Sequence, residues 1–368
     1  MKTLYPVIYL LCLLVVACNH PKDTPKTSDT LLHFNEETTD TTLSQHIKAI
    51  HFLPLEASAN AQLFGVDKMM IRNELIYLGD YRSGKITAYD LQGKVKFVLD
   101  KKGQGPQEYL EMVGFTVDQQ SLYTIDNYRH TLNVYDCYTG EYRQTLKLPF
   151  VTWDVELLPD NHFIFAYIPS QGGKPNMDQP PYRIFITDKE LNIKNKLLRY
   201  ADDDFEFIGQ RTYLSFSDNK VAFHSAESDT VYFFSGKDSV SRIAIDFENK
   251  IPSQHRHDLE LVKEKGYWYL FNTPICNKHY MTMRVSQDEY LIDYIYNPAT
   301  QQFLSNGFSN THNFLLSPQA VHQEQFVSYL DDYFLYQDLV EYGFTRASKA
   351  IEQHLEKEGA VLLFYTLH

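Results

Sequence analysis

A repeat of about 46 residues constrains the fold of this chain more than any other feature of its sequence. Two consecutive segments carry the same residue types at matching positions, namely Tyr77 and Tyr123, Asp80 and Asp126, Tyr89 and Tyr135, and Asp90 and Asp136. Each segment contains short alternating strands that end in Asp or Gly, which tolerate turns. A small sheet of this kind leaves one face bare, and only stacking against a neighbouring sheet buries it. A period in the forties is typical of propeller blades, so the sequence predicts an all-β propeller.

Four further blades are predicted from weaker strand patterns. They occupy residues 161–188, 220–234, 280–295 and the segment after Pro318. The last strand, residues 360–367, is expected to pair near residues 47–55 and close the ring, which removes an exposed sheet edge. Before it, residues 344–357 contain the Ala, Glu and Lys residues that favour one short surface helix.

The composition agrees with a β-rich fold and narrows the class of partner. The chain has 27 Tyr and 24 Phe but only 2 Trp, and Tyr and Phe favour strands. Its formal net charge of −13 repels phosphate backbones, so no nucleic acid is expected as a partner. Cys137 and Cys276 belong to different predicted blades, and we expect no disulfide between them.

The connection between the first two blades carries a recognisable motif. Residues 100–109 read DKKGQGPQEY, and residues 123–129 read YTIDNYR. They resemble the NHL repeat, with its G-x-G-P-x-E-F connection and its aspartate–arginine strand turn, and more closely the six-bladed β-propeller lipoproteins abundant in Bacteroides. Gln107 stands where the usual motif has Gly, and the likeness is thin after residue 252. The resemblance implies six four-stranded blades over residues 45–368, and it implies no general activity.

The N-terminus, residues 1–17, is interpreted as a lipoprotein signal peptide. Lys2 precedes an apolar run that is too short for a transmembrane helix, which needs about 20 apolar residues. Val15-Val16-Ala17-Cys18 resembles a bacterial lipobox, in which cleavage frees Cys18 for acylation. This predicts a protein anchored by lipid in the outer membrane, on its periplasmic or its outer side. An ordinary secretory signal with a chance cysteine is the alternative.

Residues 18–44 are expected to form a lipidated, flexible tether ahead of the propeller. They are rich in Thr and poor in aromatic residues, so they bury too little apolar surface to become ordered. Asp29-Thr30-Leu31 and Asp40-Thr41-Thr42 resemble the O-glycosylation signal of Bacteroidetes envelope proteins, and a plain polar tether explains them equally well.

One face of the propeller is the predicted binding face. In a four-stranded blade, loops between second and third strands lie on the same face as connections between blades, and loops on a rigid scaffold carry function. The candidate binding residues there are Asp80, Arg82, Asp126, Tyr128, Arg129, Lys174, Asp178 and Asp229. A structural role is the alternative for Asp126 and Arg129, which would brace the strand turn as the matching pair does in NHL-like blades.

No metal and no cofactor is predicted. His255–Asp258 places possible ligands close together, but a metal site needs three or four that converge. Asp202–Asp204 and Glu206 lack the spacing and the turn glycine of a known calcium loop. The sequence also lacks a nucleophilic serine elbow and an HExxH motif, so no catalytic residue is assigned.

Two functions of different classes are consistent with these observations. The first is a non-catalytic binding or scaffold lipoprotein of the cell envelope, with a glycan, a peptide or an envelope protein as partner and a role beside uptake machinery. The second is an envelope hydrolase or lyase with its active site at the mouth of the propeller channel. Propellers host both classes. Convergent carboxylates and histidines at the channel would favour the enzyme, and an aromatic-lined rim without them would favour binding.

Overall fold

The computed structural model describes residues 29–37, 39–169, 179–201, 210–225, 228–287, 290–305 and 316–368. The strands of this described part are, in chain order, β1 Asp29–His33, β2 Ile47–Pro54, β3 Lys68–Arg72, β4 Leu75–Asp80, β5 Lys85–Asp90, β6 Val95–Asp100, β7 Met112–Val117, β8 Ser121–Asp126, β9 Thr131–Asp136, β10 Tyr142–Lys147, β11 Asp154–Leu157, β12 Phe163–Ala166, β13 Tyr182–Thr187, β14 Ile193–Arg199, β15 Leu214–Ser217, β16 Lys220–His224, β17 Thr230–Gly236, β18 Ser239–Asp246, β19 Tyr269–Leu270, β20 Met281–Gln287, β21 Tyr290–Asn297, β22 Gln302–Ser305, β23 Pro318–His322, β24 Gln325–Leu330 and β25 Val361–Leu367. Its helices are α1 Leu43–His46, α2 Leu259–Glu264, α3 Tyr333–Glu341 and α4 Lys349–Glu356.

These strands form six sheets, which are the blades of a propeller. Blades 1 to 5 each use four consecutive antiparallel strands, beginning at β3, β7, β11, β15 and β19. The first strands of the blades meet around the axis, where β3, β7, β11, β15 and β23 contact one another. Blade 4 gains a fifth strand, because β1 pairs in parallel with its outer strand β18. The predicted six-bladed propeller with four-stranded blades is confirmed.

Blade 6 closes the ring by joining the two ends of the fold. Its strand order is β23-β24-β25-β2. β2 pairs antiparallel with β25, with Ile47 opposite Leu367 and Pro54 opposite Val361. The predicted pairing of the last strand with residues 47–55 is confirmed. Because β25 has a partner on each side, the C-terminal strand presents no free edge.

The repeated tyrosines and aspartates explain the 46-residue period. Tyr77 and Tyr135 are fully buried between blades 1 and 2, and the Tyr77 hydroxyl donates to the backbone oxygen of Cys137 at 2.9 Å. The Asp90 carboxylate accepts two backbone N–H bonds from the turn between the third and fourth strands of its blade. In blade 2 the Asp136 carboxylate caps the matching turn by accepting N–H bonds from Tyr138 and Thr139. The aspartates therefore recur as turn caps, and the tyrosines recur as buried side chains.

Neighbouring blades pack closely through their first and second strands. Every residue of β4 and β8 is buried, whereas the outer strand β10 is largely exposed. Gly79 in β4 allows the closest approach, because a Cβ there would lie 2.5 Å from the Phe115 ring of blade 2. A glycine is therefore needed at this position for the two blades to keep their spacing.

Helices occur in more places than the sequence indicated. α4 lies within the predicted helical segment, and three further α-helices and one 3₁₀ helix, Ser253–His255, are present in the described residues. α3 follows Asp332, whose carboxylate accepts N–H bonds from Phe334 at 2.7 Å and Leu335 at 3.1 Å. The sequence of α3, YFLYQDLVE, is aromatic enough to resemble a strand, and only the aspartate cap marks it as a helix. Within the described residues, no helix is long and apolar enough to cross a bilayer.

The described residues between 29 and 46 run along the outer edges of three blades, and we call them the N-terminal strap. β1 pairs with blade 4, Asp40 exchanges backbone hydrogen bonds with β22 of blade 5, and α1 leads into β2 of blade 6. The prediction of a flexible tether over residues 18–44 is therefore wrong for the described residues from 29 onward. Residues 18–28, including Cys18, lie outside the described part of the chain.

Phe34 holds the strap between blades 4 and 5. Its side chain is 4% exposed, and its ring centroid lies 4.9 Å from those of Tyr294 and Phe303, 5.3 Å from Phe247 and 6.0 Å from Trp268. Tilted and edge-on aromatic pairs at these distances add to the stabilisation from burial. One aromatic residue in a polar segment therefore accounts for much of the order in the strap.

Candidate functional site

The two faces of the propeller carry different loops. Loops between second and third strands and connections between blades lie on one face, which we call the connection face. Turns between first and second strands, and between third and fourth strands, lie on the other, the turn face. The hydroxyl of Tyr109, in a blade connection, donates to the oxygen of Gly84, in a loop between second and third strands, at 2.6 Å. Both kinds of loop therefore meet on one face, as the sequence predicted.

Asp80 and Asp126 are buried on the connection face, where their carboxylates accept backbone hydrogen bonds. Asp126 accepts N–H bonds from Leu110 at 2.9 Å, in the blade connection, and from Arg129 at 3.1 Å, in its own loop. Asp80 makes the corresponding pair of bonds in blade 1. Burial opposes the charge on Asp80, but the Ser83 hydroxyl and the backbone donors hold its pKa below the ordinary value. The two carboxylates therefore brace blade connections.

Arg129 completes the brace of blade 2. Its Nη1 donates to the backbone oxygens of Gly105 at 2.9 Å and Glu108 at 2.6 Å. Its Nε lies 3.9 Å from the Asp126 carboxylate. The G-x-G-P motif and the aspartate–arginine turn thus contact each other. Arg129 stabilises the conformation of the connection between blades 1 and 2.

Two predicted residues on the connection face have other environments. Arg82 places its guanidinium 5.1 Å from the ring centroid of Phe64, which is 75% exposed. Tyr128 is 71% exposed. These side chains form the part of the predicted binding face that is open to solvent. Lys174 and Asp178 lie outside the described residues.

Asp229 links blades 4 and 5. Its Oδ1 accepts the N–H of Leu270 at 3.0 Å, and its Oδ2 lies 2.7 Å from Nη2 of Arg256. Burial raises the pKa of Asp229, and the attraction of Arg256 opposes that shift. Asp258, from the same His255–Asp258 cluster, caps α2 by accepting the N–H of Leu261 at 3.0 Å. The cluster therefore contributes a salt bridge and a helix cap.

Side chains of the kinds that bind metals do not come together in the part of the chain that the structure describes. No group of three or more His, Cys, Asp or Glu side chains there could hold a metal ion. Cys137 in blade 2 and Cys276 in blade 5 form no disulfide with each other. Asp202–Asp204 and Glu206 lie outside the described residues.

A cavity of about 340 Å³ lies along the axis of the ring, and we call it the channel. Its wall is formed by the inner strands of blades 1, 4 and 6, by Glu156 of blade 3 and by residues 271–275 of blade 5. Its charged lining residues are Asp67, Lys68, Arg72, Glu156, Arg211 and Arg284. The channel is thus polar and contains charges of both signs.

A buried ionic network joins blades 1, 3 and 4 at the channel wall. Lys68 Nζ donates to Asp154 at 2.9 Å and lies 3.5 Å from Glu156. Arg72 Nη2 donates to Glu156 at 3.0 Å. The second oxygen of Asp154 accepts two backbone N–H bonds of 2.9 Å from blade 4. Since the side chains of Lys68, Asp154 and Glu156 are at most 5% exposed, each charge depends on its partners.

Both carboxylates of this network are surrounded by donors. Burial disfavours the charged form of Glu156, but Arg72 and Lys68 outweigh burial and hold its pKa below the ordinary value. The hydroxyl of Thr116 and the N–H of Leu157 add hydrogen bonds of 2.7 and 2.9 Å. Burial raises the pKa of Asp154, against the attraction of Lys68. The network therefore stabilises the ring and leaves Glu156 ionised.

On the turn face the channel opens into a wider depression, which we call the turn-face bowl. Its volume is about 790 Å³, and it shares Arg72 and Phe216 with the channel. Its rim consists of the turns between first and second strands of blades 1 to 4. The Arg72 guanidinium lies 4.4 Å from the centroid of the Phe216 ring. The bowl therefore combines an aromatic surface with a polar rim.

The channel network was not found from the sequence, although a signal exists. The strand containing Lys68 and Arg72 reads KMMIR, and the strand containing Asp154 and Glu156 reads DVEL. Residues two or four apart in a strand lie on the same face, so these charges share a face of a buried strand. Paired charges on an otherwise apolar inner strand are the pattern that would have predicted the network.

Comparisons with known proteins agree with this fold. A family model described as a domain of unknown function, DUF4934, matches residues 29–361. No curated protein matches the sequence at a significant level. Among solved structures, an exported-protein candidate from Bacteroides fragilis is 15% identical, with a TM-score of 0.71 over 93% of this chain and 100% of that chain. A member of the DUF4221 family from Bacteroides vulgatus is 9% identical, with a TM-score of 0.52 over 88% of this chain and 97% of that chain. At these identities the likeness establishes the propeller fold.

Proposed function

This chain belongs to the DUF4934 family, and on that premise we propose that it is a lipid-anchored cell-envelope protein whose propeller binds a ligand at its channel without transforming it. The membrane is its partner through the lipid on Cys18. The ligand is a glycan or a peptide of the envelope.

The pairing of the channel charges carries this proposal. A general acid or base must reach its substrate with a pKa near the working pH. Glu156 instead has three hydrogen-bond donors and a low pKa, and Lys68 is held between two carboxylates. These groups give the channel a fixed polar wall. A wall that is fixed before the ligand arrives loses little entropy on binding, which favours recognition.

Two features support the envelope location. The apolar run before Cys18 has the length of a signal peptide and ends at a lipobox-like sequence. The first described strand, β1, starts at Asp29, so ten residues, 19–28, lie between the proposed lipid on Cys18 and that strand. More than one acyl chain on the N-terminal cysteine would hold such a protein stably at a membrane.

Lipidation is tested by substitution of the proposed anchor. In a bacterial host with lipoprotein processing, Cys18→Ser should move the protein from the membrane fraction to the soluble fraction and abolish fatty-acid labelling. Cys12→Ser, within the same apolar run, is the matched control and should change neither. Equal labelling of the Cys18 variant would reject the anchor.

Binding without turnover is tested on the full-length lipoprotein, purified in a detergent that contains no sugar. A panel of neutral oligosaccharides and short peptides should yield a ligand that binds and is recovered with unchanged mass after long incubation. Metal analysis of the same sample accompanies the screen. Conversion of a panel member at a rate that scales with protein concentration would overturn the proposal in favour of a hydrolase or a lyase.

A further inference from the structure

We propose that the turn-face bowl is the recognition site, and that its ligand is a neutral, polyhydroxylated molecule, an oligosaccharide. This inference rests on the proposed binding function and deepens it, because it names the entrance and the ligand class. The bowl has a volume of about 790 Å³, and small-ligand sites typically measure about 300 to 1,000 Å³. All its lining residues lie within the described part of the chain.

Both charged residues that line the bowl, Arg72 and Asp118, are already paired with an opposite charge beside it. Asp118 accepts a hydrogen bond from Lys189 Nζ at 2.9 Å and another from the Tyr123 hydroxyl at 2.7 Å. Burial opposes its charge, but the backbone N–H of Gln120 and the Lys189 ammonium hold the pKa of Asp118 below the ordinary value. The Arg72 charge is paired with Glu156 in the channel network. A charged ligand would therefore find no uncompensated charge to pair with at these groups.

Carboxamides, in contrast, surround the bowl. Five of them line it, on the first-to-second-strand turns of four different blades: Asn73, Gln119, Gln120, Asn161 and Asn219. Within the described residues, the side-chain amides of Gln119, Gln120, Asn161 and Asn219 make no hydrogen bond to the protein, and all four residues are exposed. These amides are therefore available to a ligand.

Amide groups match hydroxyl groups in hydrogen-bonding capacity. Each carboxamide offers two N–H donors and one oxygen acceptor, and each sugar hydroxyl both donates and accepts. Because the amides come from separate turns, they can meet hydroxyls that point in different directions from a ring. No net charge is needed on either side, which agrees with the compensated ion pairs of the bowl.

The floor of the bowl supplies the apolar complement. Phe216 lies where the bowl meets the channel, and Leu157 and Pro159 line the blade 3 side. The Arg72 guanidinium over the Phe216 ring, 4.4 Å from its centroid, fixes the position of that aromatic side chain. Sugar rings present C–H groups on one face, and an aromatic ring with flanking apolar residues can cover that face.

The test uses substitutions that remove amides and keep the turns. Asn161 and Asn219 have φ values of 67° and 55°, a backbone conformation that glycine adopts without strain. The double variant Asn161→Gly and Asn219→Gly should therefore fold normally. Gln301→Gly is the matched control, since Gln301 has a φ of 58° on an outer turn of blade 5, away from the bowl.

The probe is a panel of neutral oligosaccharides of three to six sugars, offered to the full-length protein in sugar-free detergent and measured by calorimetry. At least one should bind, the double variant should raise its dissociation constant at least tenfold, and the control should leave it unchanged. Hydrogen exchange should show that the ligand protects the turns at residues 118–120 and 158–162.

Three results would overturn the inference. They are an absence of binding across the neutral panel, full retention of affinity in the double variant, and ligand protection confined to the connection face. If a ligand binds and Arg211→Ala, at the connection-face end of the channel, abolishes binding while the double variant does not, only the location in the bowl fails. If the ligand is converted to a product, the proposed binding function fails instead.

Discussion

The ordered N-terminal strap is the largest difference between the structure and the sequence-based prediction. Replacement of Phe34 by alanine tests what holds the strap in place. Phe34 is 4% exposed, and four aromatic rings lie within 6.0 Å of its centroid. Phe→Ala substitutions at such sites cost about 3 to 5 kcal/mol, because transfer free energy is lost and a cavity remains. We expect a loss near the middle of that range, about 4 kcal/mol.

The loss can appear in two ways, and both are measurable. If the strap and the ring unfold together, the free energy of unfolding in urea falls by the full amount. If the strap detaches first, β1 opens locally and hydrogen exchange of the residue 29–33 amides accelerates about a thousandfold for 4 kcal/mol. Urea titration and exchange mass spectrometry on the same sample therefore account for the whole effect.

Leu31→Ala is the matched control. Leu31 lies three residues before Phe34 on β1 and is 58% exposed. Its truncation should change stability by no more than about 0.5 kcal/mol. The reasoning would be refuted if Phe34→Ala lost less than about 1 kcal/mol and β1 exchanged at the wild-type rate, because the strap would then not depend on its aromatic contacts.

Three further substitutions test other parts of the fold. Burial lowers the pKa of His224 from 6.5 to about 3, so below pH 6.5 the unfolded chain binds a proton that the folded chain does not. The stability that is present above pH 6.5 should therefore fall by about 2 kcal/mol at pH 5, and urea unfolding of His224→Phe should lack this component. Glu156→Gln removes the carboxylate that pairs with the partly buried Arg72 and leaves Lys68 with Asp154 alone, which should cost about 3 kcal/mol in urea unfolding, and an unchanged midpoint would mean that the network does not hold the blades together. Gly79→Ala places a Cβ 2.5 Å from the Phe115 ring and should cost about 1 to 3 kcal/mol, whereas Gly65→Ala, with open space at its Cβ, should leave the thermal midpoint nearly unchanged.

The fold could be predicted because its repeat is a local pattern. The tyrosines of blades 1 and 2 recur at the same spacing because each is buried, and the aspartates recur because each caps a matching turn, as Asp90 and Asp136 illustrate. The strap could not be predicted in this way. Its segment is polar and rich in Thr, and its buried residues Leu32 and Phe34 find their partners more than 200 positions away in the chain. Composition does not report such distant contacts.

The candidate site was predictable only in part, for a similar reason. The sequence located the connection-face loops. It could not show whether an aspartate in such a loop faces solvent or accepts hydrogen bonds from a blade connection. The Leu110 N–H that donates to Asp126 is seen only in the folded chain. The amides of the turn-face bowl come from four separate turns, and each one alone is an ordinary turn residue. These amides come together only because the closed ring places the four turns side by side.

If Cys18 carries the lipid that we propose, the pairing of the strap with blade 4 limits how far the propeller can move from a membrane. Cys18 and the first paired residue, Asp29, are 11 positions apart, and a fully extended chain of that length reaches about 40 Å. With Cys18 lipidated, the rim at blade 4 is confined to a layer about as deep as the bilayer is thick. If the proposed lipid is present, any partner of the propeller would meet it within this layer, with the chain attached at the outer strand of blade 4.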